Sequence, residues 1–208
     1  MKEVLGPINE REFIAFYVHK LTKDPLATLI ATILSQNTNE ANAFKAWFNL
    51  LKRAGSVENI CNLELQEIEE AIRPAGLYKS KARAILEACK RKEEVTKAIL
   101  EGDRDYLLTI KGIGKKTADV VLLNFGHPTF PVDTHIFRIA KRLGLASGSY
   151  DKVSNKLSEL FKGKELEAHM YLILFGRRIC RSKNPLCEKC PFKETCTFRQ
   201  EAGGPRQP

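Results

Sequence analysis

The length, composition and charge of this chain exclude several classes of protein at once. Its 208 residues, 43% of them hydrophobic, suffice for one large or two small domains with a substantial core. No apolar run reaches the length of a membrane span, and the N-terminus lacks the apolar stretch of a secretory signal. We therefore expect a cytoplasmic protein with reduced thiols. The net charge of +9 favours a polyanionic partner such as nucleic acid, although a well-solvated surface also explains a basic composition.

In chain order, apolar residues recur at helical spacing. The first clear stripe follows Pro25, which suits the first turn of a helix, and runs from Leu26 to Leu34. Further stripes occupy 65–72, 82–89 and 136–143, and no alternating strand pattern separates them. The segment "AHMYLILFG" (168–176) predicts a buried helix that ends at Gly176. The chain is therefore predicted to be all-α, with a disordered tail at 200–208.

The stretch "LLTIKGIGKKTADVVLL" (107–123) joins two helical patterns through a short glycine turn. Gly112 and Gly114 allow a sharp turn and leave no side chain between the backbone and a close partner. The amides that open the next helix then form an anion site, to which Lys111 and Lys115 add positive charge. This pattern is typical of a helix-hairpin-helix that binds the phosphates of nucleic acid without reading sequence. A plain turn between two helices is the alternative.

Three residues that follow the turn have two interpretations each. Lys116 lies in the first turn of a helix beside other lysines, which disfavours its charged form and suits a nucleophile. A further phosphate contact fits the same local sequence equally well. Asp133 precedes an apolar-periodic run and is therefore predicted to be a helix N-cap, but its carboxylate could also face a site. His135 either donates to a phosphate or base or is a structural histidine.

Four of the six cysteines lie in "CRSKNPLCEKCPFKETC", at Cys180, Cys187, Cys190 and Cys196. Disulfides, a structural zinc site and an iron–sulfur cluster all fit four thiols, and a reducing compartment disfavours the first. The surrounding segment, 177–199, carries seven lysines and arginines against two glutamates. The other two cysteines, Cys61 and Cys89, are interpreted as buried apolar residues.

Taken in order, "GIGKKTADVVL", "VDTHIFRIAKRLGL" and the Cys-x6-Cys-x2-Cys-x5-Cys spacing resemble the endonuclease III family of helix-hairpin-helix base-excision DNA glycosylases. The segments "ILSQNTNEANA" (33–43) and "GLYKSKA" (76–82) extend the resemblance to nearly the whole chain. The resemblance implies a two-lobed all-α fold. One lobe is a bundle of about six helices at 21–128 with the hairpin, and the other combines 1–20 and 129–199. It also implies that the four cysteines ligate a [4Fe–4S] cluster and that the active site lies in a groove between the lobes.

The same resemblance implies a bifunctional DNA glycosylase and AP lyase of base excision repair. Lys116 is expected to attack C1′ of a nucleotide that has left the duplex, and Asp133 to stabilise the developing positive charge. Leu77 matches the family's apolar wedge, which fills the vacated stack. Gln36 or Asn37 matches its polar plug, with the choice between them open.

The implied partner is double-stranded DNA that contains damaged bases or abasic sites, bound by a monomer in the nucleoid-associated cytoplasm. Oxidised pyrimidines are the family's usual substrates. The stretch "SQNTNE" departs from the family's usual Ser-Ala-Gln-Ala-Thr-Asp, so mismatched thymine or uracil, or an oxidised purine, is an alternative base. A non-catalytic DNA-binding protein that uses the hairpin and the basic segment is the alternative outside enzymes.

Overall fold

The computed structural model describes residues 1–201, and all regular elements within this range are helical. The all-α prediction is therefore confirmed. The α-helices of the described residues are α1 (Lys2–Leu5), α2 (Ile14–Thr22), α3 (Pro25–Ser35), α4 (Glu40–Ala54), α5 (Leu65–Ile72), α6 (Tyr78–Lys90), α7 (Lys92–Glu101), α8 (Arg104–Leu108), α9 (Lys115–Asn124), α10 (Thr134–Arg142), α11 (Tyr150–Leu160), α12 (Glu165–Arg178) and α13 (Thr197–Glu201). Short 3-10 turns lie at Glu10–Glu12, Glu58–Asn62, Arg73–Ala75 and Cys187–Lys189.

The described residues include only the beginning of the predicted tail. Residues 200 and 201 belong to α13, whereas the rest of the predicted tail, 202–208, lies outside the described residues. Within residues 1–201, no helix combines the length and the apolar character needed to cross a bilayer.

Contacts divide the chain into two compact units. We call Asn9–His127 the hairpin unit, and Met1–Ile8 with Pro128–Pro208 the cysteine unit. The division places residues 9–20 in the hairpin unit, whereas the boundary implied by the resemblance assigned them to the other lobe. The reason is α2, whose Ile14 and Val18 are each 1% exposed and join the hydrophobic core that surrounds α3.

The hairpin unit is built around α3. Asp24 caps this helix by accepting a hydrogen bond from the Ala27 amide at 2.6 Å, and Pro25 occupies its first turn. Residues 26–34 are all buried, and α2, α4, α6, α7 and α9 pack around them. A helix that is apolar all round belongs in the centre of a bundle, because it has no face to offer to water.

The cysteine unit is built around α12, which packs against α10 and α1. The prediction that this helix ends at Gly176 is wrong, because α12 continues to Arg178. The glycine has a packing role instead. A Cβ at Gly176 would lie 2.7 Å from Cβ of His135, so the absent side chain lets α10 approach α12 closely.

The interpretation of Cys61 and Cys89 as buried apolar residues is also wrong, since the two form a disulfide. Their Cα atoms are 5.2 Å apart, across 28 positions of sequence. The bond joins the 3-10 turn Glu58–Asn62 to α6 within the hairpin unit.

Candidate active site

The two glycines of the turn between α8 and α9 have different surroundings. Gly112 has a φ of 95°, and a Cβ there would lie 2.7 Å from Cβ of Ala84 on α6. Gly114 caps α9 with an extended φ of −96°, and nothing lies within 4 Å of the position of its missing Cβ. The two glycines therefore differ: Gly112 is required by packing inside the unit, and Gly114 leaves an open surface. Lys111 and Lys115 are both exposed beside this surface.

A partly buried ion pair holds the two helices of the hairpin together. Arg104 at the start of α8 donates from Nε to one oxygen of Asp119 at 2.6 Å and from a terminal nitrogen to the other at 3.0 Å. The Asp119 side chain on α9 is fully buried. A two-bond contact of this kind fixes orientation as well as distance, so the start of α9 is held in place.

Lys116 is the second residue of α9 and is exposed. Its amine has no hydrogen bond or ion pair with any of the described residues 1–201. The next residue, Thr117, is buried in the unit, so the backbone at this point is anchored while the lysine side chain is available. An available amine on a fixed backbone is the arrangement that a nucleophile needs.

The segment that follows α3 contains both candidates for the polar plug. The Gln36 side chain donates to the Gly112 carbonyl at 3.1 Å and to the Thr117 hydroxyl at 2.9 Å. Gln36 therefore ties this segment to the hairpin. Asn37 is exposed and has a left-handed backbone with a φ of 49°. Thr117 was not singled out from the sequence, because nothing in the pattern shows that a residue 81 positions away would contact it.

Leu77 precedes α6 with a φ of 47° and is 61% exposed. An apolar side chain on a left-handed backbone is costly, by about 1–3 kcal/mol, and an exposed leucine contributes little packing in return. This combination is common at functional positions and agrees with the wedge that the resemblance implies.

Asp133 and His135 lie in the cysteine unit at the start of α10. Asp133 Oδ1 accepts a hydrogen bond from the Ile136 amide at 2.8 Å, so the N-cap prediction is confirmed. Its second oxygen carries no hydrogen bond from the described residues. His135 Nδ1 lies 3.0 Å from the Arg138 guanidinium, so the other ring nitrogen is the one that could meet DNA. The structure places Lys116 and Asp133 in different units.

The four C-terminal cysteines are free thiols on a segment that α10 helps to hold. Arg142 donates to the Arg181 carbonyl at 2.7 Å and lies 3.5 Å from the sulfur of Cys180. The Cys196 thiol contacts the Arg142 carbonyl at 3.3 Å. Arg142 was missed from the sequence, because it reads there only as the polar side of an amphipathic helix.

The thiols lie near one another. Burial raises the pKa of the Cys190 thiol, a backbone hydrogen bond from Phe192 opposes this shift, and the charges of Cys180, Cys196 and Cys187 raise the pKa further. Within residues 1–201, no three His, Cys, Asp or Glu side chains form a ready-made metal-binding group. The chemistry of the four free cysteines nevertheless fits an iron–sulfur cluster, for which four thiolates are the usual ligands.

The chain is similar to known proteins of base excision DNA repair. Residues 30–163 match the family described as HhH-GPD superfamily base excision DNA repair protein. The sequence is 39% identical over 204 residues to endonuclease III of Sulfolobus acidocaldarius, which covers 92% of this chain and 90% of that protein. A solved covalent intermediate of endonuclease III trapped on DNA matches with a TM-score of 0.75 and 29% identity, covering 95% of this chain and all of that chain. A thermostable thymine-DNA glycosylase matches with a TM-score of 0.68 and 25% identity, over 86% of each chain.

The helical fold, the hairpin and the matched domain define a helix-hairpin-helix protein of base excision DNA repair. Within this class, the chain belongs to the endonuclease III family. It is accordingly a DNA glycosylase with AP lyase activity, and the enzyme prediction made from the resemblance is confirmed at this level.

Proposed function

We propose that this enzyme removes oxidised pyrimidines from duplex DNA, with Lys116 as the nucleophile, and then nicks the abasic site. The observation that carries the assignment is an exposed amine without a partner among the described residues, fixed directly behind a backbone hairpin. The pyrimidine preference is supported by the family resemblance.

The chemistry follows from an amine and a carboxylate. Lys116 Nζ attacks C1′ of the flipped nucleotide, and the bond between C1′ and the base breaks, so that the base leaves with the bonding electrons. The nitrogen passes one proton to the departing base and keeps the other. The C1′–O4′ bond then breaks as O4′ takes up a proton from Asp133 or water, which leaves an opened sugar joined to Lys116 as a protonated Schiff base. Loss of a proton from C2′ then expels the 3′ phosphate by β-elimination. Asp133 stabilises the positive charge that develops on the sugar and assists the proton transfers through the carboxylate oxygen that does not cap α10.

The proposed grip on DNA uses the hairpin unit for the phosphates and two exposed side chains for the duplex. The turn at Lys111, Gly112, Gly114 and Lys115 binds the backbone without regard to sequence. Leu77 fills the vacated stack. We assign the polar plug to Asn37, because Gln36 is already bound to Gly112 and Thr117. His135 contacts a phosphate or base through its second ring nitrogen.

We further propose that Cys180, Cys187, Cys190 and Cys196 hold a [4Fe–4S] cluster. The four neighbouring thiols and the Arg142 contacts that fix their segment support this assignment. When bound, the cluster crosslinks the basic segment 177–199 and shapes it for DNA; the bond-breaking steps are left to Lys116 and Asp133. The enzyme works as a monomer in the cytoplasm, at the nucleoid, a placement favoured by its net charge of +9.

Two variants test the assignment of the catalytic residues. Lys116→Gln should abolish both the adduct trapped by borohydride and strand nicking, while DNA binding persists because Lys111 and Lys115 remain. Asp133→Asn keeps a competent N-cap, so α10 should survive, but base release should slow by about 10²-fold or more. Trapped adducts with Lys116→Gln would show that another amine is the nucleophile. Full base release by a destabilised Asp133→Asn would show that Asp133 is only a cap.

A second candidate substrate is thymine in a mismatch. The structural match to a thymine-DNA glycosylase and the departure of "SQNTNE" from the family's usual segment both favour testing it. A panel of duplexes with thymine glycol, 5-hydroxycytosine, mismatched thymine or uracil, and 8-oxoguanine separates the candidates. Base release confined to the mismatches would overturn the proposal that the enzyme removes oxidised pyrimidines. The assignment of the catalytic residues would be unaffected.

A further inference from the structure

One lysine of the hairpin unit is buried, and the reaction described above does not use it. Lys81, on α6, is 2% exposed. A lysine is seldom fully buried without a partner, because removing an ammonium group from water is expensive. Its position therefore calls for a compensating contact.

The contacts of Lys81 are two carbonyls at the ends of two other elements. Its amine donates to the Leu34 carbonyl at 2.9 Å and to the Ala75 carbonyl at 2.8 Å. Leu34 lies in the last turn of α3, and Ala75 ends the 3-10 turn Arg73–Ala75. Carbonyls at such ends lack partners within their own helix and carry partial negative charge, so a cation is a suitable cap for both.

Each of these two ends leads directly into a segment that we assign to the duplex. Asn37 lies three residues after Leu34, and Leu77 lies two residues after Ala75. Asn37 and Leu77 both have left-handed backbones and exposed side chains. Neither segment belongs to a helix, so neither is held by regular backbone hydrogen bonds. The Lys81 amine is therefore a point of attachment that the two segments share.

The glycine turn rests on the same helix. Ala84, three residues after Lys81 and thus on the same face of α6, is the residue that a Cβ at Gly112 would meet at 2.7 Å. Gln36 also donates to the Gly112 carbonyl. One face of α6 therefore supports the plug segment, the wedge segment and the phosphate turn together.

We propose that Lys81 is a positioning residue that sets the spacing between Asn37 and Leu77, so that both side chains enter the duplex together. The inference rests on the proposed function, which assigns these two side chains to the duplex. Lys81 itself touches neither DNA nor the reacting atoms. Its role is exerted through the two carbonyls that it holds.

The charge state of Lys81 agrees with this role. Burial lowers its pKa to about 8 from the usual value near 10.5. The amine is therefore still mainly protonated at neutral pH, despite the cost of desolvation. It has all three protons available for the two carbonyls under the conditions in which the enzyme works.

The test uses the full-length enzyme and a duplex with a non-cleavable abasic analogue opposite 2-aminopurine. The fluorescence of 2-aminopurine rises when the base is unstacked, and it is read at saturating enzyme so that affinity does not enter. Lys81→Met keeps a straight side chain of similar length but removes every donor. We expect it to lose most of the fluorescence rise. We also expect its single-turnover base release on a damaged duplex to fall by about 10-fold or more, since a misplacement of about 1 Å can cost up to about 10²-fold.

The matched control is Val95→Ala, a cavity-forming change in the same core on a helix, α7, that bears none of the three segments. It should lose thermal stability without losing the fluorescence rise or the single-turnover rate. Should Lys81→Met fail to fold, Lys81→Gln takes its place, because its amide keeps a donor for one carbonyl and should give a partial loss of both signals.

The double variant Asn37→Ala/Leu77→Ala distinguishes failure of the proposed DNA contacts from failure of the proposed role of Lys81. If it keeps the full fluorescence rise, these side chains do not enter the duplex, and both the proposed grip and the role of Lys81 fail. If it loses the rise while Lys81→Met keeps it, the grip stands and the role of Lys81 alone is overturned. Equal losses with Lys81→Met and Val95→Ala would likewise overturn it, since lost stability would then explain the effect.

Discussion

Two lysines of the hairpin unit show how surroundings decide what the same side chain does. Lys116 is exposed, and its amine has no hydrogen bond or ion pair with the other described residues, so it is available to a substrate. Lys81 is buried and donates to two carbonyls, so its amine is committed to the protein. The first arrangement suits a nucleophile and the second suits a structural support. Only the proposed role of Lys116 can be predicted from the sequence, because this lysine follows a glycine turn.

The lowered pKa of Lys81 predicts a specific dependence of stability on pH. In the unfolded chain a lysine has a pKa near 10.4, so between about pH 8 and pH 10.4 the unfolded state binds more protons than the folded state. The contribution of Lys81 to the free energy of unfolding should therefore rise with pH across this window. The total rise is up to about 3 kcal/mol, because one pKa unit corresponds to about 1.4 kcal/mol. Below pH 8 its contribution should be flat.

Denaturant unfolding at a series of pH values checks this prediction, with Lys81→Met as the reference. Taking the difference between the two proteins at each pH cancels the titration of the other groups. A difference that stays constant from pH 7 to pH 10.5 would show that Lys81 keeps an ordinary pKa in the folded protein.

At the scale of elements, the two glycines of the hairpin should respond differently to the same substitution. Gly112→Ala places a methyl group against Ala84 on a backbone with positive φ, so it should destabilise the hairpin unit and weaken DNA binding as a consequence. Gly114→Ala meets nothing within 4 Å and has an ordinary φ, so the fold should be unchanged. If Gly114 lies against phosphate, binding to damaged and undamaged duplex should weaken equally.

Thermal unfolding and DNA titrations of the two variants decide between these roles. Gly114→Ala with wild-type stability and wild-type affinity would mean that the open surface beside Gly114 does not contact DNA.

In the wild type, affinity for DNA should also fall steeply as the salt concentration rises, because phosphate contacts release counterions.

The elements also show where sequence reasoning succeeds and where it stops. The stripes at 65–72, 82–89 and 136–143 correspond to α5, α6 and α10, because helical periodicity is a local property of the chain. The sequence predicts a helix end at Gly176 because glycine is common at helix ends. The structure instead explains the glycine by the close approach of His135 from another helix. The Asp133 cap was predictable from its immediate neighbours. The contact of Gln36 with Thr117 was not, because it depends on how distant segments pack.

For the whole molecule, the four cysteines should be needed for both iron content and DNA binding. Cys187→Ser replaces one thiolate with a poor ligand, so the purified protein should lose iron and its visible absorbance. The basic segment 177–199 would lose its crosslink, and affinity for duplex should fall. Elemental analysis of the wild type provides the decisive check, since one zinc and no iron per chain would identify a structural zinc site instead.

The Cys61–Cys89 disulfide should contribute to the stability of the whole molecule. The bond closes a loop of 28 positions, and restricting the unfolded chain to that extent corresponds to about 3–4 kcal/mol of stability. Cys61→Ala/Cys89→Ala should therefore lower the melting temperature by roughly 10 °C for a protein of this size. Paired substitution is preferable to a thiol reductant, because such a reductant could also compete with the four cysteines of the cysteine unit for the iron of the proposed cluster. Glycosylase activity well below the melting temperature should persist, since neither cysteine lies in a segment assigned to DNA.

The redox state of the pair also bears on where the enzyme works. A reducing cytoplasm normally keeps such thiols reduced, and intracellular proteins of hyperthermophiles are the known exception. Mass spectrometry after alkylation without reduction measures the state directly, because an intact disulfide leaves both cysteines unmodified. Full alkylation of Cys61 and Cys89 in freshly purified protein, together with an unchanged melting temperature for the double variant, would show that the pair is reduced and contributes no crosslink. Protection from alkylation, together with the expected loss of stability in the double variant, would show that the disulfide is formed and stabilises the fold.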